Sequence, residues 1–324
     1  MDLSRRQFIQ TAAVGAAVAP SLGAAAAAGK LPSRPFGKTG MEVSILGFGS
    51  GSRFLMYDED TALQALTKAL EGGITYIDTA NNYGNGKSEE RIGRILPEWR
   101  SKVTLASKIA GRTADLFNRQ LEASLKRLKT DHLDVCHLHA LSGPEDLAKI
   151  EAPDGALKAL YKARDEKIIR AAGISCHAAP ESLKLALERH DFNATQMALN
   201  AALARMAEAK GGMKATPMPP PGSFEELALP VAVKKGLGII AMKVFAQEQI
   251  LGAAPVEKLL AYSLSLPVSL ASVGMPKLEF IDRNLELARA FTPMSADDRH
   301  KLNDSIASER KAAVVEFFRD HLDA

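Results

Sequence analysis

Cysteine and large aromatics are scarce in this chain of 324 residues, which holds two cysteines, one tryptophan and an aromatic content of 6%. Two cysteines, Cys136 and Cys176, exclude a disulfide-stapled scaffold and allow one bridge at most. Charge of one sign is lacking too: 41 Lys and Arg against 38 Asp and Glu leave a net charge of +3. That is too little, and too scattered, for a nucleic-acid footprint, so no nucleic acid is expected as a partner. The Ala/Val-rich run at 11–28 is short and weakly apolar, which excludes stable membrane insertion as the expectation. No internal repeat is present and the order G-x-G-x-x-G is missing, so Gly47, Gly49 and Gly51 read as turn residues rather than a phosphate fingerprint. What remains, 46% hydrophobic and 24% charged, is the composition of an ordinary globular core.

Arg5 and Arg6 precede that Ala/Val-rich run, which ends in small residues, and this is the order of a secretory signal segment. The string S-R-R-Q-F-I at Ser4 to Ile9 resembles the twin-arginine (Tat) export consensus. The resemblance implies a signal peptide at 1–29, a folded domain at 30–324, the Tat export machinery as a partner, and a periplasmic or extracellular location. It also implies export in the folded state, often with a cofactor inside.

From Val43 onward short β-branched runs alternate with amphipathic segments, the pattern of a parallel sheet with crossover helices. The strands drawn from it are Val43 to Phe48, Thr75 to Thr79, Val103 to Lys108, Leu133 to His139, Ile169 to Ser175, Ala194 to Asn200, Gly238 to Val244 and Val268 to Gly274. A helix is expected after each, at Asp60 to Glu71, Glu89 to Leu96, Leu116 to Leu128, Asp154 to Glu166, Pro180 to His190, Phe224 to Lys235, Val256 to Leu266 and Leu278 to Ala290, with Ser88 and Asp115 read as caps. Eight βα units favour an α/β fold of the (β/α)8 TIM-barrel type over an open sheet. An extra C-terminal helix is expected at Ala296 to Phe318, and the stretch Ala201 to Ser223, with three successive prolines, as a stiff extended loop on the active face.

Asp78, Tyr83, Lys108 and His139 fall at or just beyond the C-terminal ends of strands two, three and four, so a barrel brings them to one mouth. An unperturbed phenol titrates near about 10, and a neighbouring ammonium stabilises its anion, making Tyr83 a better acid toward a carbonyl oxygen. Lys108 supplies that charge, Asp78 balances it, and His139 can orient the carbonyl. His137, on the same strand face as His139, reads as an interior polar residue.

The segment I-D-T-A-N-N-Y-G at Ile77 to Gly84 resembles the strand-two signature of the aldo/keto reductases, whose catalytic aspartate and tyrosine are spaced as Asp78 and Tyr83 are. G-K-S-E-E-R-I-G at Gly86 to Gly93, A-S-K at Ala106 to Lys108 and L-D-V-C-H-L-H at Leu133 to His139 are similar to that family's second helix, lysine strand and histidine strand. F-G-K-T-G-M-E-V-S at Phe36 to Ser44 resembles the hairpin that caps the barrel bottom. The resemblance, which runs from Pro35 to about Asn284, implies an NAD(P)H-dependent oxidoreductase that reduces a small carbonyl substrate, with Tyr83 as general acid and no metal. NADP(H) is the expected cofactor ahead of NAD(H). By resemblance Ser175 holds the nicotinamide amide, with Cys176 where the family usually has asparagine, Met242 stacks on the ring, Gln196 matches the sixth-strand pattern, and Ser50 and Gly51 are assigned to the cofactor. Lys243 is assigned to the cofactor as well, and Gly274, Lys277 and Asn284, in G-M-P-K-L-E-F-I-D-R-N, to the segment that grips the adenosine phosphate, Lys277 or Arg283 answering a 2′-phosphate.

Two other readings of these residues stand beside it. One is a non-catalytic nucleotide-binding barrel that serves as a redox-sensing subunit of a larger assembly. The other is a metal-dependent hydrolase using His137, His139 and His177.

Overall fold

Strands that alternate with crossover helices can bury their inward side chains against one another by rolling the sheet closed. The structure is a computed structural model that describes residues 30–203, 207–209, 212–214, 222–248 and 250–306. From Leu31 onward they belong to one unit. The expected signal segment at 1–29 lies outside the described residues.

An antiparallel hairpin comes first, β1 (Ser33–Pro35) pairing with β2 (Glu42–Ser44). The barrel then runs through β3 (Leu46–Gly49), β4 (Tyr76–Asp78), β5 (Thr104–Ile109), β6 (Leu133–Leu138), β7 (Ile169–Cys176) and β8 (Ala194–Ala198). A second hairpin, β9 (Ala207–Ala209) with β10 (Gly212–Lys214), interrupts it before β11 (Gly238–Met242) and β12 (Leu270–Val273) complete the circle. Every barrel neighbour is parallel, and β12 closes onto β3 through Ala271 opposite Leu46. This is the (β/α)8 barrel expected from the alternation.

Four expectations need correction. The single first strand, Val43 to Phe48, is two. Ser44 N–H donates to Thr75 Oγ1 (2.8 Å) and Ile45 N–H to Pro32 O (2.9 Å), so the chain changes sheets at Ile45. Ser88 does not cap the helix Lys87–Trp99 but lies buried within its first turn. The next helix, Ala114–Leu128, is capped by Thr113, whose side chain accepts from Leu116 N–H, and not by Asp115. The stretch Ala201 to Ser223 carries the β9–β10 hairpin; its successive prolines lie outside the described residues.

Other helices pack around the barrel at Glu59–Glu71, Ala156–Asp165, Pro180–Arg189, Ala228–Lys235, Val256–Leu264 and Leu278–Arg289. Pro144–Glu151 is an additional helix, started by Pro144 at its first turn with Glu145 and Asp146 near its positive end. The extra C-terminal helix is described over Ala296–Ser305, and its expected continuation to Phe318 lies outside the described residues. No helix among the described residues is long and apolar enough to cross a membrane. One apolar cluster fills the space between strands and helices, while a separate one, including Phe36, Val43, Tyr76 and Ile240, plugs the barrel interior at the hairpin end.

Candidate active site

At the opposite end the interior turns polar. Asp78, the last residue of β4, sits between Gly49 of β3 and Ala106 of β5 in register, and Lys108 of β5 lies opposite His137 of β6. Three oxygens surround Lys108 Nζ: Thr79 O at 2.8 Å, Asp78 Oδ1 at 2.9 Å and Tyr83 Oη at 3.2 Å. An ammonium has three protons and no lone pair, so these partners satisfy it. Tyr83 Oη accepts from Lys108, which leaves its own proton for another acceptor. Asp78 Oδ2 in turn accepts from Gln196 Nε2 (2.8 Å) and Ser272 Oγ (3.1 Å). The Asp78–Lys108 pair is almost wholly buried, with side chains 6% and 1% exposed. A buried pair of this kind is held in place only because further hydrogen bonds occupy its remaining atoms.

Tyr83 reaches this position through an unusual turn. Gly84, Asn85 and Gly86 follow it at φ 56°, 54° and 97°, all left-handed. Asparagine tolerates that region, and a Cβ on Gly86 would lie 2.8 Å from Arg127 Cδ, so the sequence Y-G-N-G is the one that makes this bend. The Tyr83 and His139 rings then meet edge to face, 5.7 Å between centroids. His137 lies deeper, fully buried. Burial first, and then the Lys108 charge, push its pKa down to about 3, so it is neutral.

The helix Lys87–Trp99 fastens the loops of this mouth from behind. Ser88 Oγ donates to Ser50 O (2.8 Å) and lies 2.9 Å from Thr79 Oγ1. Glu89 accepts from Ser107 Oγ (2.6 Å) and from Arg127, which reaches Asn81 O. Arg91 donates to Phe54 O (3.0 Å) and Tyr57 O (2.8 Å).

A cleft with about 700 Å³ of open space lies in front of Asp78 and Tyr83. Of the residues assigned to a nucleotide, Gly51, Gln196, Met242, Lys243 and Gly274 line it. Others do not reach it. Ser50 is buried and its hydroxyl donates to Asp78 O (2.8 Å). Ser175 Oγ accepts from Ala140 N–H (2.9 Å). Cys176 turns its thiol to Leu141 O (3.0 Å), and burial pushes its pKa up to about 12. Cys176 and Cys136 are both free, so the one bridge the sequence allows is not formed. Lys277 and Asn284 stand at the start and on the buried side of the helix Leu278–Arg289, Lys277 exposed beside Glu279. The sequence reading did not single out Ser272, Arg53 or Glu248. Arg53 and Glu248 pair at 3.3 Å across the cleft wall, and only Ser272, at an inward strand position, left a signal in the alternation. Among the described residues no group of three His, Cys, Asp or Glu is disposed to hold a metal.

Residues 45–254 match the model of the aldo/keto reductase family. Over 153 residues the chain is 39% identical to aldo-keto reductase YhdN of Bacillus subtilis, covering 42% of this chain and 44% of that protein. It spans less than half the length of the curated relatives it matches. An aldo-keto reductase from Bacillus halodurans in its holo form shares the fold at a TM-score of 0.69 and 22% identity, over 86% of this chain and 97% of that one. A second, from Klebsiella pneumoniae in complex with NADPH, does so at 0.63 and 23%, over 82% and 92%. The barrel, its mouth and the matched span together make this chain a member of the aldo/keto reductase family.

Proposed function

We propose that this chain reduces the carbonyl group of a small aldehyde or ketone to an alcohol, with a nicotinamide nucleotide as cofactor and Tyr83 as general acid. The observation that carries the reading is the contact between Lys108 Nζ and Tyr83 Oη at 3.2 Å, at the edge of a cleft. A bound nicotinamide nucleotide supplies the hydride for such a reduction. Tyr83 gives its proton to the carbonyl oxygen, and the Lys108 ammonium stabilises the negative charge left on Oη. Asp78 holds the ammonium in place, and the His139 ring beside Tyr83 orients the carbonyl.

The residues present fit the nicotinamide end of such a cofactor. Gln196 Oε1 is buried without a protein partner while its Nε2 is fixed on Asp78, which suits an amide donor from the cleft. Gly49, Gly51 and Gly274 leave the cleft wall without side chains there. Lys277 and Arg283 carry positive charge at the helix Leu278–Arg289, which supports NADP(H) over NAD(H) through a 2′-phosphate. The K. pneumoniae relative, bound to NADPH, supports the same class of cofactor. The contact of Tyr83 with Lys108 favours turnover over a purely sensing role.

The test is a titration with NADPH and NADH, followed by an aldehyde and ketone panel on wild type and Tyr83→Phe. Tyr83→Phe is expected to lower kcat by about 10²- to 10⁴-fold with nucleotide affinity kept. Unchanged turnover in that variant defeats the assignment of the general acid.

The twin-arginine string at Ser4 to Ile9 supports export of the folded protein with its nucleotide already in place. Mass spectrometry on periplasmic protein is expected to find bound nucleotide. Empty protein that regains activity on adding NADPH counts against that part.

A further inference from the structure

The turn that follows β6 is held with unusual completeness. His139 N–H donates to Ile109 O (2.9 Å), Ala140 N–H to Ser175 Oγ (2.9 Å), Leu141 N–H to Ser175 O (2.8 Å) and Ser142 N–H to Asp146 Oδ2 (3.1 Å). Each carbonyl from His139 to Leu141 is also taken. His139 O and Ala140 O accept from Arg112 Nη2 at 2.6 and 3.2 Å, and Leu141 O from the Cys176 thiol at 3.0 Å. Within this turn Ala140 stands at φ 51°, a left-handed conformation that an alanine keeps only when its surroundings impose it.

Arg112 is the centre of that imposition. It follows β5, the strand of Lys108, and grips Asp146 as a two-pronged fork, Nε to Oδ1 at 2.7 Å and Nη2 to Oδ2 at 2.8 Å. Nη1 returns to Ala110 O at 3.2 Å. Asp146, in the first turn of the helix Pro144–Glu151, thereby joins three things: that helix, the end of the lysine strand and the turn that carries His139. A planar guanidinium bonded in this way fixes direction as well as distance, which a lysine cannot do.

We propose that Arg112 and Asp146 form a clamp, completed by Ser175 and Cys176, that positions the His139 imidazole for the reaction. Arg112 is a positioning residue: it touches neither cleft nor phenol, and acts through the backbone of His139 and Ala140. The proposal gives Ser175 and Cys176 a task that their absence from the cleft lining otherwise leaves unexplained, since the Ser175 hydroxyl and the Cys176 thiol both bond to this turn. It rests on the carbonyl-reductase reading, and the experiment separates the two.

A double-mutant cycle pairs Arg112→Gln with His139→Gln in steady-state carbonyl reduction. Arg112→Gln alone is expected to lower kcat about ten- to a hundredfold, the scale for a misplaced group, with nucleotide Kd within about twofold of wild type. In the His139→Gln background the same change is expected to alter kcat by less than about twofold, because a group acting only through His139 has nothing left to position. An equal loss in both backgrounds overturns the clamp, as does an unchanged kcat in Arg112→Gln. Should Arg112→Gln not fold, Arg112→Lys and Asp146→Asn carry the same cycle with the charge or the shape retained. If wild type reduces no carbonyl, the functional reading fails by itself. The clamp is then read from the ¹H–¹⁵N ring signal of His139, which Arg112→Lys is expected to shift or broaden and which, left unmoved, overturns the proposal.

Discussion

The two ends of the barrel interior are built by the same strands, two residues apart. At the hairpin end stand Tyr76, Ala106, Val135, Ala194 and Leu270; at the mouth, on the same strands, stand Asp78, Lys108, His137, Gln196 and Ser272. Side chains two positions apart along a strand share a face, so on these five strands the inward row changes from apolar to polar in one step. The lower layer has no polar partner to offer and is plugged by Phe36, Met41 and Val43 from the hairpin. The upper layer has partners for its charges because these five strands each supply one polar side chain. Stability and chemistry are thus divided between layers of one core, and a change in one layer should leave the other's property nearly intact.

The largest break in that division comes from the plug. Phe36 is fully buried, its ring 5.7 Å from that of Tyr76. Phe36→Ala is expected to cost about 3–5 kcal/mol in denaturant unfolding while kcat per folded molecule stays at the wild-type value. A loss of kcat without a loss of stability contradicts the division of labour.

The boundary between layers can be located more finely at Gly173. A Cβ there would lie 2.4 Å from His137 Nδ1, so the glycine is what admits the imidazole. Gly173→Ala is expected to destabilise the protein by about 1–3 kcal/mol, and adding His137→Ser to recover most of it. Failure of the double variant to recover places the strain elsewhere than at the imidazole.

The smallest effect is in pH dependence. His137 is held down to about 3 in the fold from an ordinary 6.5, chiefly by burial. Between those values the unfolded chain binds the extra proton, so this residue's stabilising contribution is complete above the unfolded pKa and is lost as pH falls toward the folded one. His137→Gln is therefore expected to flatten the rise of unfolding free energy between pH 4 and pH 7, measured in urea. A slope identical to wild type assigns the acid sensitivity to other groups.

These contrasts also explain what the sequence could and could not disclose. Each barrel strand is an apolar or β-branched run, and the four central residues sit on or just beyond the ends of three of them, so both were legible from periodicity and spacing. The break at Ile45 was not, because Val43 to Phe48 is one unbroken β-forming run and only the pairing of Ser44 with Thr75 splits it. The direction of Ser50 and Cys176 was not legible either: each lies where a cleft residue belongs, and a hydrogen bond to a distant backbone turns it away. Arg112 and Asp146 meet across 34 positions, a separation at which local pattern carries no information. The helix Pro144–Glu151, by contrast, left readable signals in Pro144, Glu145 and Asp146.

Ser88, Glu89 and Arg91 lie within one helix and between them hold two connecting segments: the one after β3 at Ser50, Phe54 and Tyr57, and the one after β4 at Thr79 and, through Glu89 and Arg127, at Asn81. Two loops fastened to one rod do not open one at a time. Amide hydrogen exchange in those stretches should therefore share a common opening free energy, and the rim on this side of the barrel behaves as one cooperative unit whose lifetime is set by the docking of Lys87–Trp99.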